Sequence, residues 1–284
     1  MSGGRTALVL GGGGITGIAW EVGVVTGLGD AGVDLRTADL VVGTSAGSVV
    51  GAQLRSAASR EELYRAQLGP SVETGPPAAM GRGTLLRFGL AMLRHRRDEQ
   101  AFRARLGALA TAAAAAGRTP TEEARRAAIT ARLPSTEWPR EPLTITAVDA
   151  ATGAFETFTR DSGVDLVSAV AASCAVPGVY PPITVGGRRF VDGGVRSVAN
   201  VDLAAGYDRV VVLAPITRGI GPMTGVDEQV GGLGGRVVVV RPDAGSTAAI
   251  GKNVLDPAAR APSAQAGRAQ AEAVADQVRE VWTG

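Results

Sequence analysis

The sequence is poorest in the residues from which many catalytic sites are built. Among 284 residues there is one cysteine, Cys174, and one histidine, His95. A single cysteine excludes an intramolecular disulfide and a cysteine-based zinc site. A single histidine excludes a multi-histidine metal centre and leaves one candidate for an imidazole base. Neither calcium-loop nor zinc spacing occurs, so no metal is expected. Aromatic residues make up only 4%, and the core must therefore pack through aliphatic side chains and close backbone approach. Charge of one sign is also scarce: the net charge is +2, and the pI of about 9.1 reflects a slight arginine excess. No basic stripe is interleaved with aromatics, so nucleic acid is not an expected partner. No apolar run approaches the ~20 residues that span a bilayer. The first ten residues hold one arginine and an apolar run too short for a signal-peptide core. A cytoplasmic protein is expected, with peripheral membrane contact and oligomeric state left open.

What is present describes an ordinary globular chain, 45% hydrophobic and 20% charged, with enough apolar matter for a sizeable core. Thr6 to Leu10 reads as a short buried strand, and a helical pattern follows a run of glycines to about Leu28. Leu40 to Val42 reads as a second strand, with a helix from about Gly47 to Arg55. That alternation predicts a mainly parallel sheet with helices on both faces, a three-layer α/β/α arrangement. From about Arg60 to Leu133 the periodicity is helical, interrupted at Pro70, Pro76-Pro77 and Pro120. This stretch reads as a helical insertion over about 60–135 within a single 1–284 domain. Strands resume at Leu143 to Val148, with a turn at Asp149 to Gly153 and an edge partner at Phe155 to Thr159. A small-residue helix from Asp165 to Cys174 leads to a rigid loop, Val176 to Ile183. Arg189 to Val191 is a short strand ending in Asp192-Gly193-Gly194. Val210 to Leu213 and Arg236 to Val240 are further buried strands, and Ala264 to Trp282 is an amphipathic helix.

Three motifs carry chemistry. Gly43-Thr44-Ser45-Ala46-Gly47 is a G-x-S-x-G pattern at a strand end before a helix, which puts a serine on a strained corner with its hydroxyl projecting. Gly43 and Gly47 remove the Cβ atoms that would crowd it. Thr44 lies off the apex, and Ser48 reads as a first-turn helix residue. The second motif, Gly11 to Gly17, exposes backbone N–H groups ahead of a helix N-terminus, an arrangement that stabilises a phosphate or a transient oxyanion. Its Gly12-x-Gly14-x-x-Gly17 spacing also fits a dinucleotide fingerprint, with Asp34 near the distance of a ribose-binding acid. Asp34 precedes the second strand instead of ending it, which is the wrong place for that role. The third motif is Asp192-Gly193, the only Asp-Gly in the chain, which alone would also fit a hairpin turn.

A serine hydroxyl needs a base to take its proton. His95 lies in the basic run Arg94-His95-Arg96-Arg97, where neighbouring cations disfavour the imidazolium, and it reads as a solvated helix residue. A carboxylate is the remaining choice: Asp192 first, with Asp149 second and better explained as a turn residue. An aspartate with a reference pKa of ~3.9 is a weak base at neutral pH. Partial burial would have to raise it.

Taken in order, the three motifs resemble the patatin-like phospholipase family. So do the stretch Ala172-Ser173-Cys174-Ala175-Val176-Pro177-Gly178 through Pro181-Pro182, and the segment Asn200-Val201-Asp202-Leu203-Ala204. The resemblance covers nearly the whole chain and is weakest over about residues 70–135. It implies the patatin-like version of the α/β/α fold and a lipid acyl hydrolase acting on fatty-acyl esters without a cofactor. It also implies Ser45 as nucleophile, Asp192 as base, and the backbone N–H groups of Gly12, Gly13 and Gly14 as oxyanion hole. Gly17, Gly43, Gly47, Gly193 and Gly194 would support the motifs. One departure stands out: many family members have arginine or lysine where this chain has Thr16. Two competing functions remain, a dinucleotide-binding oxidoreductase and a catalytically silent interaction module of the same fold.

Overall fold

The computed structural model describes residues 4–70, 82–219 and 221–284. In chain order its elements are β1 (Thr6–Leu10), α1 (Gly14–Asp30), β2 (Leu40–Gly43), α2 (Ala46–Leu54), α3 (Arg60–Leu68), α4 (Arg82–His95), α5 (Glu99–Ala115) and α6 (Glu122–Thr130). They continue with β3 (Leu143–Asp149), β4 (Phe155–Phe158), α7 (Leu166–Ser173), β5 (Ile183–Val185), β6 (Arg188–Asp192), β7 (Arg209–Leu213), α8 (Val226–Val230), β8 (Arg236–Val240), α9 (Ala244–Ile250) and α10 (Arg260–Thr283). Pro120 precedes the capping Thr121 of α6, and Pro70 follows the end of α3. The Pro76-Pro77 interruption lies outside the described residues.

Eight strands form one sheet in the order β5-β6-β3-β2-β1-β7-β8, with β4 on β3. The pairs among β1, β2, β3, β7 and β8 are parallel, while β4, β5 and β6 pair antiparallel. The period of two along β1 separates two cores. Leu8 and Leu10 face α1, α2, α7 and α10, whereas Ala7 and Val9 face the segment around Val198–Val201 and α8. A third cluster joins α4 and α5 to Val148 and Val191 of the sheet. The fold is thus a three-layer α/β/α sandwich around a mainly parallel sheet. Among the described residues no helix is long and apolar enough to cross a membrane.

The register of β3 positions the site. Ile145 pairs with Gly43 of β2, and Ala147 pairs with Asp192 of β6. Both residues also pair with β4, which must then occupy the other edge of β3. β2 and β6 therefore follow one another along the same edge. One is parallel to β3 and the other antiparallel, so they run head-on and their C-terminal ends converge. Two residues of β3, about 7 Å, separate them. Residues leaving β2 and the last residue of β6 are forced together although about 150 positions separate them in the chain.

Candidate active site

Ser45 stands where β2 breaks into α2, and it is one of two non-glycine residues with positive φ among those described, at φ 52° and ψ −114°. That backbone is costly for any residue with a Cβ and is held only by its surroundings. Its N–H donates to Ser173 Oγ at 2.9 Å, and its carbonyl accepts from Ser48 Oγ at 2.7 Å and from the Cys174 thiol at 3.2 Å. A Cβ on Gly43 would collide with the Gly47 carbonyl, and one on Gly47 with the Leu10 carbonyl of β1. The corner therefore needs both glycines for close approach. Ser48 lies in the first turn of α2, and Thr44 points away into a buried network in which Asn200 Nδ2 and Thr146 Oγ1 both donate to Thr44 Oγ1 at 3.0 Å.

Ser45 Oγ donates to Asp192 Oδ2 at 2.7 Å. The other carboxylate oxygen accepts from the Gly194 N–H at 2.7 Å. Serine and aspartate are only 8% and 5% exposed. Burial raises the Asp192 pKa to about 6, held back by the Ser45 hydroxyl, the Gly194 N–H and the charge of Arg125. Asp192-Gly193 is not a hairpin turn: β6 runs directly into a 3-10 turn over Gly193–Val195, which Asp192 caps. A Cβ on Gly193 would strike Thr146 of β3, so the chain can turn there only without one.

The alternative acids and the histidine lie elsewhere. Asp149 Oδ1 accepts from the N–H groups of Ala151 and Thr152, and Oδ2 pairs with Arg188. These bonds hold its pKa below the usual carboxylate value against the opposing effect of burial. Asp34 is exposed and caps a 3-10 turn through the Arg36 N–H. His95 ends α4 and lines a separate surface groove.

The glycine loop differs from expectation at one position. The Gly12 N–H already donates to the Val198 carbonyl at 2.7 Å, so it is not free to meet an oxyanion. Gly13 and Gly14 precede the first intrahelical donor of α1, and among the described residues their N–H groups have no acceptor. Gly12, Gly13 and Gly14 line one cavity with Ser45 and Asp192. Thr16 is fully buried, and its N–H and Oγ1 both donate to the Val254 carbonyl at 3.1 and 3.3 Å. A basic side chain at that point would have to leave the core.

The cavity above the pair has a volume of about 490 Å³, within the ~300–1,000 Å³ typical of small-molecule sites. Phe88, Phe102, Leu106, Val195, Ile216 and Met223 give it apolar walls. Arg218 and Lys252 also line it and are exposed. On its other side Ser45 borders a smaller cleft with Arg125, Tyr180 and Cys174. Arg125 is buried, donates to the Cys174 carbonyl at 3.1 Å and stacks 3.6 Å from the Tyr180 ring. Burial pushes the Cys174 thiol above its usual pKa, which leaves it a poor nucleophile. Sequence reasoning missed Ser173, Arg125 and Val198 as parts of the site. Only Ser173 had a signal, its place in the Ala172–Gly178 stretch.

A strained serine corner bonded to a buried carboxylate thus borders an apolar cavity in a three-layer α/β fold. Residues 8–205 match the family described as patatin-like phospholipase, and the chain belongs to that family. Membership supports lipid acyl hydrolase activity on lipid substrates. No curated protein sequence matches the chain. Among solved structures, VipD from Legionella pneumophila aligns over 96% of this chain and 67% of its own, at 12% identity and a TM-score of 0.49. The type III effector protein ExoU aligns over 98% of this chain and 54% of its own, at 17% identity and a TM-score of 0.41. The chain thus spans about two thirds of the former and about half of the latter.

Proposed function

We propose that the protein hydrolyses carboxylic esters of fatty-acyl lipids through a Ser45–Asp192 dyad and an acyl-enzyme. The observation that carries this reading is the 2.7 Å hydrogen bond from Ser45 Oγ to a buried Asp192 with a pKa of about 6. Such a carboxylate is ionised at neutral pH yet basic enough to accept a proton. Asp192 takes the hydroxyl proton as Ser45 Oγ bonds to the ester carbonyl carbon. The carbonyl oxygen becomes an oxyanion, met by the Gly13 and Gly14 N–H groups and the N-terminus of α1. Collapse breaks the carbon–alkoxide bond, and Asp192 returns the proton to the departing alcohol. Water then loses a proton to Asp192, attacks the acyl-Ser45, and the fatty acid leaves as the proton returns to Ser45 Oγ. The apolar cavity holds the acyl chain. The chain acts as one domain in which the helical stretch over about 60–135 is an insertion that supplies Phe88, Phe102 and Leu106 to the cavity wall. No cofactor enters these steps.

A fluorophosphonate probe tests the nucleophile. The intact protein is expected to be labelled once and Ser45→Ala not at all, with loss of lipid ester hydrolysis in step. Equal labelling of both would discard Ser45 as the nucleophile, and no labelling of the intact protein would return the silent-module reading.

A further inference from the structure

α4 is apolar on two opposite faces, and the described residues cover only one of them. Phe88, Ala91 and Met92 turn inward and pack with Phe102, Leu106 and Val195. Leu86, Leu90 and Leu93 recur at i, i+4 and i+7 and so share the opposite face. They are 67%, 59% and 73% exposed. Isolated surface leucines are common and need no explanation, but a row of three over two turns is a patch.

The row ends in cations. Arg94, Arg96 and Arg97 are exposed, and none has an ion pair among the described residues. The acids that follow are engaged elsewhere: Asp98 caps α5 at the Ala101 N–H, and Glu99 pairs with Arg103. Leu90, Leu93, Arg94 and Arg105 border one groove. The inward face of the same helix forms part of the Ser45 cavity through Phe88. Apolar side chains beside unpaired arginines match the layering of a lipid surface, with acyl chains beneath phosphate headgroups.

We infer that the outward face of α4 is a docking surface for an anionic lipid bilayer. Leu86, Leu90 and Leu93 enter the acyl boundary, and Arg94, Arg96 and Arg97 meet the headgroups. Docking would set α4, whose inward face carries Phe88, between the bilayer and the cavity. The inference draws its purpose from the lipid acyl hydrolase reading, but its test does not depend on catalysis.

The test is sedimentation of the Ser45→Ala protein, which leaves the lipid intact, with phosphatidylcholine vesicles containing or lacking phosphatidylglycerol. Binding is expected to the anionic vesicles and to weaken about tenfold or more in Leu90→Ser/Leu93→Ser. Arg94→Gln/Arg96→Gln/Arg97→Gln should lose about fivefold per charge at low salt. Both sets, made with Ser45 intact, should keep the melting temperature and the hydrolysis of a soluble short-chain ester. Leu90→Trp gives an independent readout, a blue-shifted emission on anionic vesicles only. Unchanged vesicle binding in the leucine variant, or equal binding to neutral vesicles, would overturn the inference. So would self-association that the leucine variant abolishes while vesicle binding stays. If vesicle binding follows the expected pattern but no ester is hydrolysed, the functional reading fails and the docking surface stands.

Discussion

In the proposed reaction, Asp192 is the residue on which chemistry and stability oppose each other. Its pKa rises from 3.8 to about 6 on folding because burial penalises the charged form. The folded state therefore holds this proton more tightly than the unfolded chain. The stability from this group is complete below about pH 3.8, falls as pH rises, and is gone above about pH 6. The difference corresponds to about 3 kcal/mol at neutral pH. Asp192→Asn is expected to recover about 1–2 kcal/mol of it in urea unfolding at pH 7. Asn can still accept from the Gly194 N–H, but its amide then donates to Ser45 Oγ and takes no proton, so ester hydrolysis should be lost. In the unaltered protein kcat/KM should fall about tenfold per pH unit below pH 6, and His95→Ala should keep that limb. An acidic limb that moves with His95, or no limb at all, would remove Asp192 as the base. Ser45 and Asp192 could be singled out as candidates because each sits in a short motif whose glycines are demanded by sterics, and the structure brings the two into contact. Ser173 and Arg125 were not, because what gives them meaning is contact across 128 and 49 residues. Nor could the sequence tell that the Gly12 N–H is taken by Val198 while those of Gly13 and Gly14 are not.

At the scale of the element, the corner between β2 and α2 does the positioning, and it depends on β1 as much as on its own residues. The path of α2 over β1 leaves no room for a Cβ at Gly47 against the Leu10 carbonyl, which is backbone and cannot move aside. Gly47→Ala is expected to cost about 3 kcal/mol or more in urea unfolding, and to lower activity beyond what the loss of folded protein explains. A variant as stable as the parent would mean that the corner can relax and that the strain at Ser45 is not imposed from below. Strands such as Thr6–Leu10 and Arg236–Val240 could be delimited from sequence because they are continuous apolar runs bounded by breakers. β5, α8 and α9 are too short to show a period, with three, five and seven residues, and went unread. The edge pairing of β4 was readable from the Asp149–Gly153 turn. The convergence of β2 and β6 was not, since it follows from a register shared through β3, and no local pattern encodes a register between distant strands.

Across the whole molecule, the cavity is a meeting of segments that the chain order keeps apart. The glycine loop supplies backbone N–H groups, the α4–α5 pair supplies apolar walls, and two connections supply the positive charges that line it among the described residues. Arg218 lies between β7 and α8, and Lys252, the one lysine in the chain, lies between α9 and α10. Neither has an ion pair among the described residues. The bonds from Thr16 to the Val254 carbonyl tie the Lys252 connection to the head of α1. Thr16 thus anchors the loop that carries Lys252. If these two cations meet a phosphate headgroup while the acyl chain fills the apolar cavity, removing them should weaken recognition of charged lipid without touching the dyad. Arg218→Ala/Lys252→Ala is expected to raise KM about tenfold for a phospholipid carrying a net negative charge in mixed micelles. The KM for an uncharged glycerolipid ester should change less than about twofold, and the difference should shrink in high salt as exposed charges are screened. The kcat should stay close to the parent value, because Ser45, Asp192 and the Gly13 and Gly14 N–H groups are unaltered. An equal rise in KM for both lipids would show that the two connections shape the cavity without reading charge, and the selectivity would then have to come from the apolar walls alone.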